Sequence, residues 1–384
     1  MRDYVDLGIR TVVNAGGAQS RLGGSTLSPE VREAMSRAST EYVDVEALHD
    51  RVGQRLAVAT RNEAAAVSAG SAAGIMIAVA AVITGTDPDR AAALPRQGDS
   101  RPTVAVWRAH TTGVLAGADS IHDNGYLNSI AAGGGWVRVI DAPAELRSSD
   151  AALVWFPGMY GIPDEDTKLI EFAAQARDVG VPVIVDAADQ IPPFARSWEY
   201  TTAWGADLAL FSGGKGLHGP TSSGLILGRA DLVAACRANS GTEHGVGRPA
   251  KIGREELLGL LVAVEHASRV DEDARFAEQD AVVQHWAEAF ASLPIDLERV
   301  PLGHCGQRIP RLILRLRSGS RECRDDLIAE LWDADPRVAV LPEVEAAIAL
   351  SPQLLVDDQP SLVEALVHRV ISAHLEGCPV CAPD

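Results

Sequence analysis

The chain has 384 residues, 47% of them hydrophobic, and a formal net charge of −18; that is enough apolar content for one large domain and a smaller one. An acidic balance of this size argues against an extended nucleic-acid surface, which needs clustered Lys and Arg, but it leaves room for one local cationic pocket. The N-terminus carries acids without a long apolar core, and no apolar run reaches the roughly 18 residues of a membrane span, so a cytoplasmic protein without membrane contact is expected. Five cysteines, an odd number without framework spacing, fit reduced thiols.

In chain order, "SPEVREAMSRAS" (28–39) opens with Ser28 as N-cap and Pro29 at the first helical position. The segment 64–85 predicts a strand, a small-residue turn Ser68-Ala69-Gly70-Ser71, and an apolar helix. The runs 103–107, 151–156, 181–188, 206–212 and 224–228 are short and rich in Val, Ile and Leu, as strands buried on both faces are. Between them, 164–180 has apolar residues at helical spacing, acids at its start and Gly180 after its end. Strand, helix, strand at this spacing predicts a mainly parallel α/β sheet. One long amphipathic helix is expected from about Arg254 past Ala274, followed by strands at 311–317 and 337–341 and a final helix at 361–375. The stretches 85–102 and 240–249 are expected to be surface loops. This divides the chain into an N-terminal arm and helix (1–50), a large domain (51–265), and a linker helix with a small C-terminal domain (266–384).

Ligands of such sheets sit beyond the carboxyl ends of the strands, and "SGGKG" (212–216) falls there. A nucleotide phosphate loop needs Gly-x-x-x-x-Gly-Lys followed by Ser or Thr. Ala209 stands where the first glycine belongs and Gly216 where the hydroxyl belongs, so that reading fails. Three other features join at the same edge. The helix start after Ser68-Ala69-Gly70-Ser71 offers N–H groups, hydroxyls and a helix dipole to a phosphate, although small residues there equally serve tight packing. Asp186, at the end of a buried strand, needs a cationic or N–H partner or caps a neighbouring helix. Lys215, if desolvated near other positive charge, has a depressed pKa and forms imines with carbonyls. Together they are what pyridoxal 5′-phosphate requires: a phosphate anchored at a helix N-terminus, a ring nitrogen kept protonated by a carboxylate, and an aldehyde held by a lysine.

With the stretches "VVNAGGAQSRLGGSTLSPEV" (12–31), "SAGSAAG" (68–74), "VIVDAA" (183–188), "FSGGKGLHGPTSSGL" (211–225) and "GVGRPAKIGREELLGLL" (245–261), the sequence resembles the fold-type I pyridoxal-phosphate enzymes of the selenocysteine-synthase-like group. That group includes seryl-tRNA selenium transferase and D-glucosaminate-6-phosphate ammonia-lyase, and the monooxygenase-decarboxylase of capuramycin biosynthesis resembles it. The resemblance covers most of residues 10–265 and is weaker beyond. It implies a large domain with a seven-stranded, mainly parallel sheet and a small C-terminal α+β domain. It also implies that Lys215 is the Schiff-base lysine, that Asp186 partners the ring nitrogen, that Ser68, Gly70, Ser71 and Ser212 cradle the phosphate, and that His110 stacks on the ring. A site shared across a homodimer or larger homo-oligomer is expected.

An amino-acid substrate needs a carboxylate clamp, for which Arg gives a bidentate match. Arg21, Arg248 and Arg311 are the candidates, each with a structural salt bridge as the alternative. His218 either assists proton transfer or packs beneath the loop. His374, Cys378 and Cys381 lack a fourth zinc ligand, so no metal is expected. The acidic chain excludes a tRNA substrate. The group implies a carbanion at the α-carbon of a small polar, sugar-like or nucleoside-like amino acid, with α,β-elimination releasing ammonia as the leading outcome. An O2-dependent decarboxylation to a carboxamide is the alternative, and a non-catalytic regulator a second one.

Overall fold

The structure, a computed structural model, describes residues 4–95, 102–111, 125–159, 161–241, 245–317 and 319–377. They fall into two compact units, Thr26–Val270 with His304–Gly306, and Met1–Ser25 with Asp271–Gly303 and Gln307–Asp384. The N-terminal arm therefore groups with the C-terminal unit up to Ser25, and the helix that follows it groups with the larger unit.

The larger unit is built on a seven-stranded sheet. Its strands are β1 (Ala64–Ser68), β2 (Thr103–Trp107), β3 (Trp136–Ile140), β4 (Asp150–Trp155), β5 (Val183–Asp186), β6 (Leu208–Ser212) and β7 (Gly224–Gly228). The spatial order is β1-β7-β6-β5-β4-β2-β3. Strands β3 through β6 pair in parallel by way of β2, whereas β7 runs antiparallel to both neighbours, β6 and β1. Side chains alternate across the sheet. Ala105, Leu153, Trp155, Val183, Val185, Ala209 and Phe211 enter one core with helices α2 (Val45–Ala59), α4 (Glu165–Val179) and α5 (Arg254–Ala267). Val104, Val106, Val154, Ile184, Leu208 and Leu210 enter the other core with α3 (Ser71–Thr84). Burial on both faces explains why these strands read as unbroken apolar runs.

Local signals set the helix ends. Helix α1 (Pro29–Ala38) has Ser28 Oγ accepting from Val31 N–H at 3.3 Å, and α4 stops at Gly180, which takes a left-handed conformation. Helix α2 lies in a stretch given no element in the sequence reading. The long helix expected from Arg254 is two helices: α5 ends at Ala267, and a new one, Glu272–Ala289, starts where the Asp271 side chain accepts from Ala274 N–H. An N-cap inside an amphipathic stretch restarts the helix without disturbing its periodicity. The loop expected at 85–102 contains a short helix, Pro88–Ala93, and part of it, like part of 240–249, lies outside the described residues.

In the smaller unit Leu341–Pro342, Ala347–Leu350, Arg311–Leu316 and Ile295–Val300 form an antiparallel sheet, and Val12–Asn14 pairs in parallel with Arg337–Ala339. Helices Glu272–Ala289, Arg321–Asp333 and Gln359–Gly377 supply the rest of one apolar core. Among the described residues no helix is long and apolar enough to cross a membrane.

Candidate active site

Three strand exits converge at the carboxyl edge of the large sheet. Strand β1 ends at Ser68 and turns into α3 through Gly70, whose φ of +94° is a conformation that glycine adopts without strain. The amides of Ser71, Ala72 and Ala73 are thus the open first turn of a 14-residue helix with no acid in that turn. Strand β5 delivers Asp186, and the adjacent strand β6 delivers Ser212 and then Lys215. The two loops touch backbone to backbone: a Cβ on Gly216 would lie 1.9 Å from the Ile191 carbonyl oxygen, so only glycine fits after the lysine.

Asp186 is buried. Burial pushes its carboxyl up to about 6, against the opposing pull of Lys215, the Ala188 N–H and the Ser71 hydroxyl. Its Oδ1 is buried with no hydrogen-bond partner among the described residues. An unmatched buried acceptor costs free energy and suits a cationic N–H donor arriving from a ligand. The pyridinium N–H of pyridoxal phosphate is such a donor, so Asp186, the helix start and Lys215 fit that group.

The serines expected to cradle a phosphate do not act alike. The Ser71 hydroxyl lies on the Asp186 side, where it pulls that carboxyl down. Ser68 Oγ donates to the Gly70 carbonyl at 2.9 Å and holds the turn, while Ser212 is half-buried, its N–H on the Ala188 carbonyl at 3.2 Å. Nor is Lys215 a lysine of depressed pKa. Burial alone pulls it down, but Asp189, Cys305, Tyr126 and Asp186 more than offset this and hold its ammonium above the ordinary lysine range.

Asp189, which the sequence reading passed over, lies with its Oδ2 3.5 Å from Lys215 Nζ and 3.7 Å from His304 Nε2. The donor atoms of Asp189, His304 and Cys305 are all within 4.8 Å of one another. The signal for Asp189 was its place three residues after Asp186 on the same strand exit. His304 and Cys305 come from far along the chain and have no local signature.

His110, expected to stack on a cofactor ring, is fully buried. Its Nε2 meets Glu165 Oε1 at 2.6 Å, its Nδ1 accepts from the Phe156 N–H at 3.4 Å, and its edge packs on Trp155 at 4.4 Å. Burial pulls the ring below the ordinary imidazole range, against the pull of Glu165. Glu165 also accepts from the Gly158 N–H at 2.7 Å, so His110 ties β2 to the loop after β4. His218 has a left-handed backbone (φ +54°), and its N–H closes a turn on the Lys215 carbonyl at 3.0 Å.

Of the three arginines, Arg248 belongs to the lysine-bearing unit, is exposed, and spends Nη1 on the Gly241 carbonyl at 2.8 Å. Arg21 and Arg311 belong to the smaller unit. Arg311 is buried, paired with Glu343 and donating to the Leu302 carbonyl at 2.9 Å, so its charge is already matched. Arg21 is exposed over the Trp332 ring, with Nε on Gln19. His374 is buried against Glu330, and Cys378 and Cys381 lie outside the described residues.

No family model matches the chain. It is 38% identical over 322 residues, 81% of this chain and 77% of the relative, to the 5′-C-glycyluridine monooxygenase-decarboxylase of a Streptomyces species. It is 30% identical over 383 residues, 96% of this chain and 97% of the relative, to the D-glucosaminate-6-phosphate ammonia lyase of Salmonella typhimurium. A solved structure of D-glucosaminate-6-phosphate ammonia-lyase superposes with a TM-score of 0.77 at 26% identity, covering 97% of this chain and 99% of that one. The chain therefore belongs to the fold-type I pyridoxal-phosphate-dependent enzymes, in the group that holds that decarboxylase and that lyase.

Proposed function

We propose that the chain is an ammonia-releasing lyase. It takes a small polar α-amino acid, or one bearing a sugar or nucleoside, removes the α-proton and eliminates a β-leaving group to give a 2-keto product. The observation that carries this is the buried Asp186, one oxygen unmatched, on the strand next to the one that delivers Lys215. Pyridoxal phosphate, when bound, supplies an electron sink for charge developing at the α-carbon. Asp186 would hold a proton at the ring nitrogen, the amides of Ser71, Ala72 and Ala73 would hold the phosphate, and Lys215 would hold the aldehyde carbon. Once displaced, Lys215 moves the proton at the α-carbon. Arg248, with most of its guanidinium donors uncommitted by the Gly241 contact, is the candidate for the substrate carboxylate. A cavity of about 410 Å³, whose lining includes Ile162, Asp164, Gln190, Arg196, His304 and Cys305, offers room for a polar substituent.

A second reading, an O2-consuming decarboxylase that yields a carboxamide, is favoured by the 38% identity with the Streptomyces enzyme. It uses the same residues. Incubating the cofactor-loaded protein with candidate amino acids under air and under argon, while following ammonia, 2-keto product, CO2 and oxygen uptake, separates the two. Ammonia and keto product in equal amounts under argon support the lyase. Turnover that requires air and releases CO2 overturns it in favour of the oxygenase. We further propose a homodimer, supported by the exposure of the neighbouring residues Tyr4, Val5, Leu7 and Ile9 on the N-terminal arm, since grouped exposed apolar residues mark interaction surfaces, and a cytoplasmic location, supported by an odd cysteine number without framework spacing.

A further inference from the structure

Asp189 is not one of the groups that the cofactor's chemistry demands, yet it is the carboxylate in direct contact with the lysine. Its side chain is 11% exposed and its Oδ2 lies 3.5 Å from Lys215 Nζ. It is fixed from two directions. On its own loop, the Gln190 N–H donates to the Ala187 carbonyl at 3.1 Å, closing a turn through Asp189. From the other side His304 Nε2 approaches the same oxygen at 3.7 Å. His304 is itself placed by Gln190, whose Nε2 donates to the Cys305 carbonyl at 2.9 Å and to the Pro157 carbonyl at 3.2 Å, while its Oε1 accepts from Tyr200. A Cβ on Gly158 would come within 2.2 Å of that Cys305 carbonyl, so segment 304–306 is seated tightly. A carboxylate restrained in this way costs little entropy to keep opposite the ammonium, unlike a flexible surface pair.

We propose that Asp189 is a positioning residue that holds the amine of Lys215 as an ammonium ion while no carbonyl is bound to it, and fixes where that amine points. The groups facing Lys215 are Asp186 and Asp189 from the exit of β5, Cys305 from segment 304–306, and Tyr126 from the turn before helix Leu127–Ala132, with His304 behind Asp189. Apart from His304, each is acidic or neutral, so none opposes the ammonium. Burial opposes it most strongly, and the summed field of these groups prevails. The inference rests on this geometry and holds whichever substrate bond is broken.

The test uses the full chain stripped of cofactor and competitive acetylation with acetic anhydride from pH 7 to 11, read by mass spectrometry at Lys215 and at the exposed Lys168. In the wild type the labelling midpoint of Lys215 lies above that of Lys168. In Asp189→Asn it falls by about one pH unit, giving about tenfold more Lys215 labelling at pH 8.5, while Lys168 is unchanged. Asp189→Glu restores the wild-type midpoint. Capture of added pyridoxal phosphate at pH 8, followed through the visible band that Lys215 generates, is faster in Asp189→Asn than in the wild type. Asp189→Ser provides a second neutral variant. An unmoved midpoint in either neutral variant, once shown to be folded, overturns the proposal. So does unfolding of both, which would make Asp189 a structural residue only.

Discussion

Replacing Asp186 with asparagine should make the cofactor-free protein more stable at neutral pH while ruining its cofactor site. Burial raises this carboxyl from 3.8 to about 6, and at about 1.4 kcal/mol for each tenfold that difference corresponds to about 3 kcal/mol. The sign follows from linkage: a raised acid is favourable in its neutral form, so its contribution is fully present below about pH 4 and is lost as pH rises through about 6. At pH 7.5 the wild-type apo-protein carries this cost and the asparagine variant does not. The variant leaves an amide nitrogen where Oδ1 has no partner, which costs about 1 kcal/mol. The net expectation is a gain of about 2 kcal/mol at pH 7.5 and a loss of about 1 kcal/mol at pH 4. Denaturant titration of both apo-proteins at several pH values reads it directly. With pyridoxal phosphate added, the wild type should gain the larger stabilisation, because only a carboxylate matches a ring N–H cation. The reasoning is refuted if the stability difference between the two apo-proteins does not change with pH.

Lys215→Ala should abolish the visible absorption of the loaded protein and lower turnover by more than about a hundredfold, checked by spectrum and steady-state rate. Gly216→Ala places a methyl group against the Ile191 carbonyl; a loss of about 2–3 kcal/mol in stability and reduced cofactor occupancy should show in denaturation and in absorbance at fixed protein concentration. Ser71→Ala removes a hydroxyl from Asp186 and should weaken cofactor affinity by roughly tenfold, the worth of one hydrogen bond to a charged group, measured by fluorescence titration. His110→Leu leaves Glu165 buried beside an apolar side chain; a cost of about 3 kcal/mol should appear as a lower unfolding midpoint, with the lysine band retained.

Much of this site was legible because its residues stand where strands end. A strand such as Val183–Asp186 is apolar until its last residue, so a lone carboxylate there is conspicuous, and a lysine among glycines is equally plain. What the sequence hid depends on contacts between distant segments. The sign of the Lys215 shift is decided by Asp189, Cys305 and Tyr126, none of which announces itself near the lysine. His110 appeared to be an open loop residue because nothing adjacent to it reveals Glu165, which lies on another helix. The antiparallel direction of β7 was similarly invisible: an interior strand is apolar whichever way it runs.

Segment His304–Gly306 belongs to the lysine-bearing unit although the chain around it does not. The unit is therefore discontinuous in sequence, and no single cut releases it whole. A fragment spanning residues 26–270 would keep every strand of the large sheet but expose the Gln190 amide that the Cys305 carbonyl now receives, and it would leave Asp189 without its histidine. Such a fragment could carry the lysine and the aspartate yet lack the wall against which they are set. Gene fusions, truncations and domain exchanges in this protein therefore have a hidden boundary, three residues wide, that no continuous stretch of sequence marks.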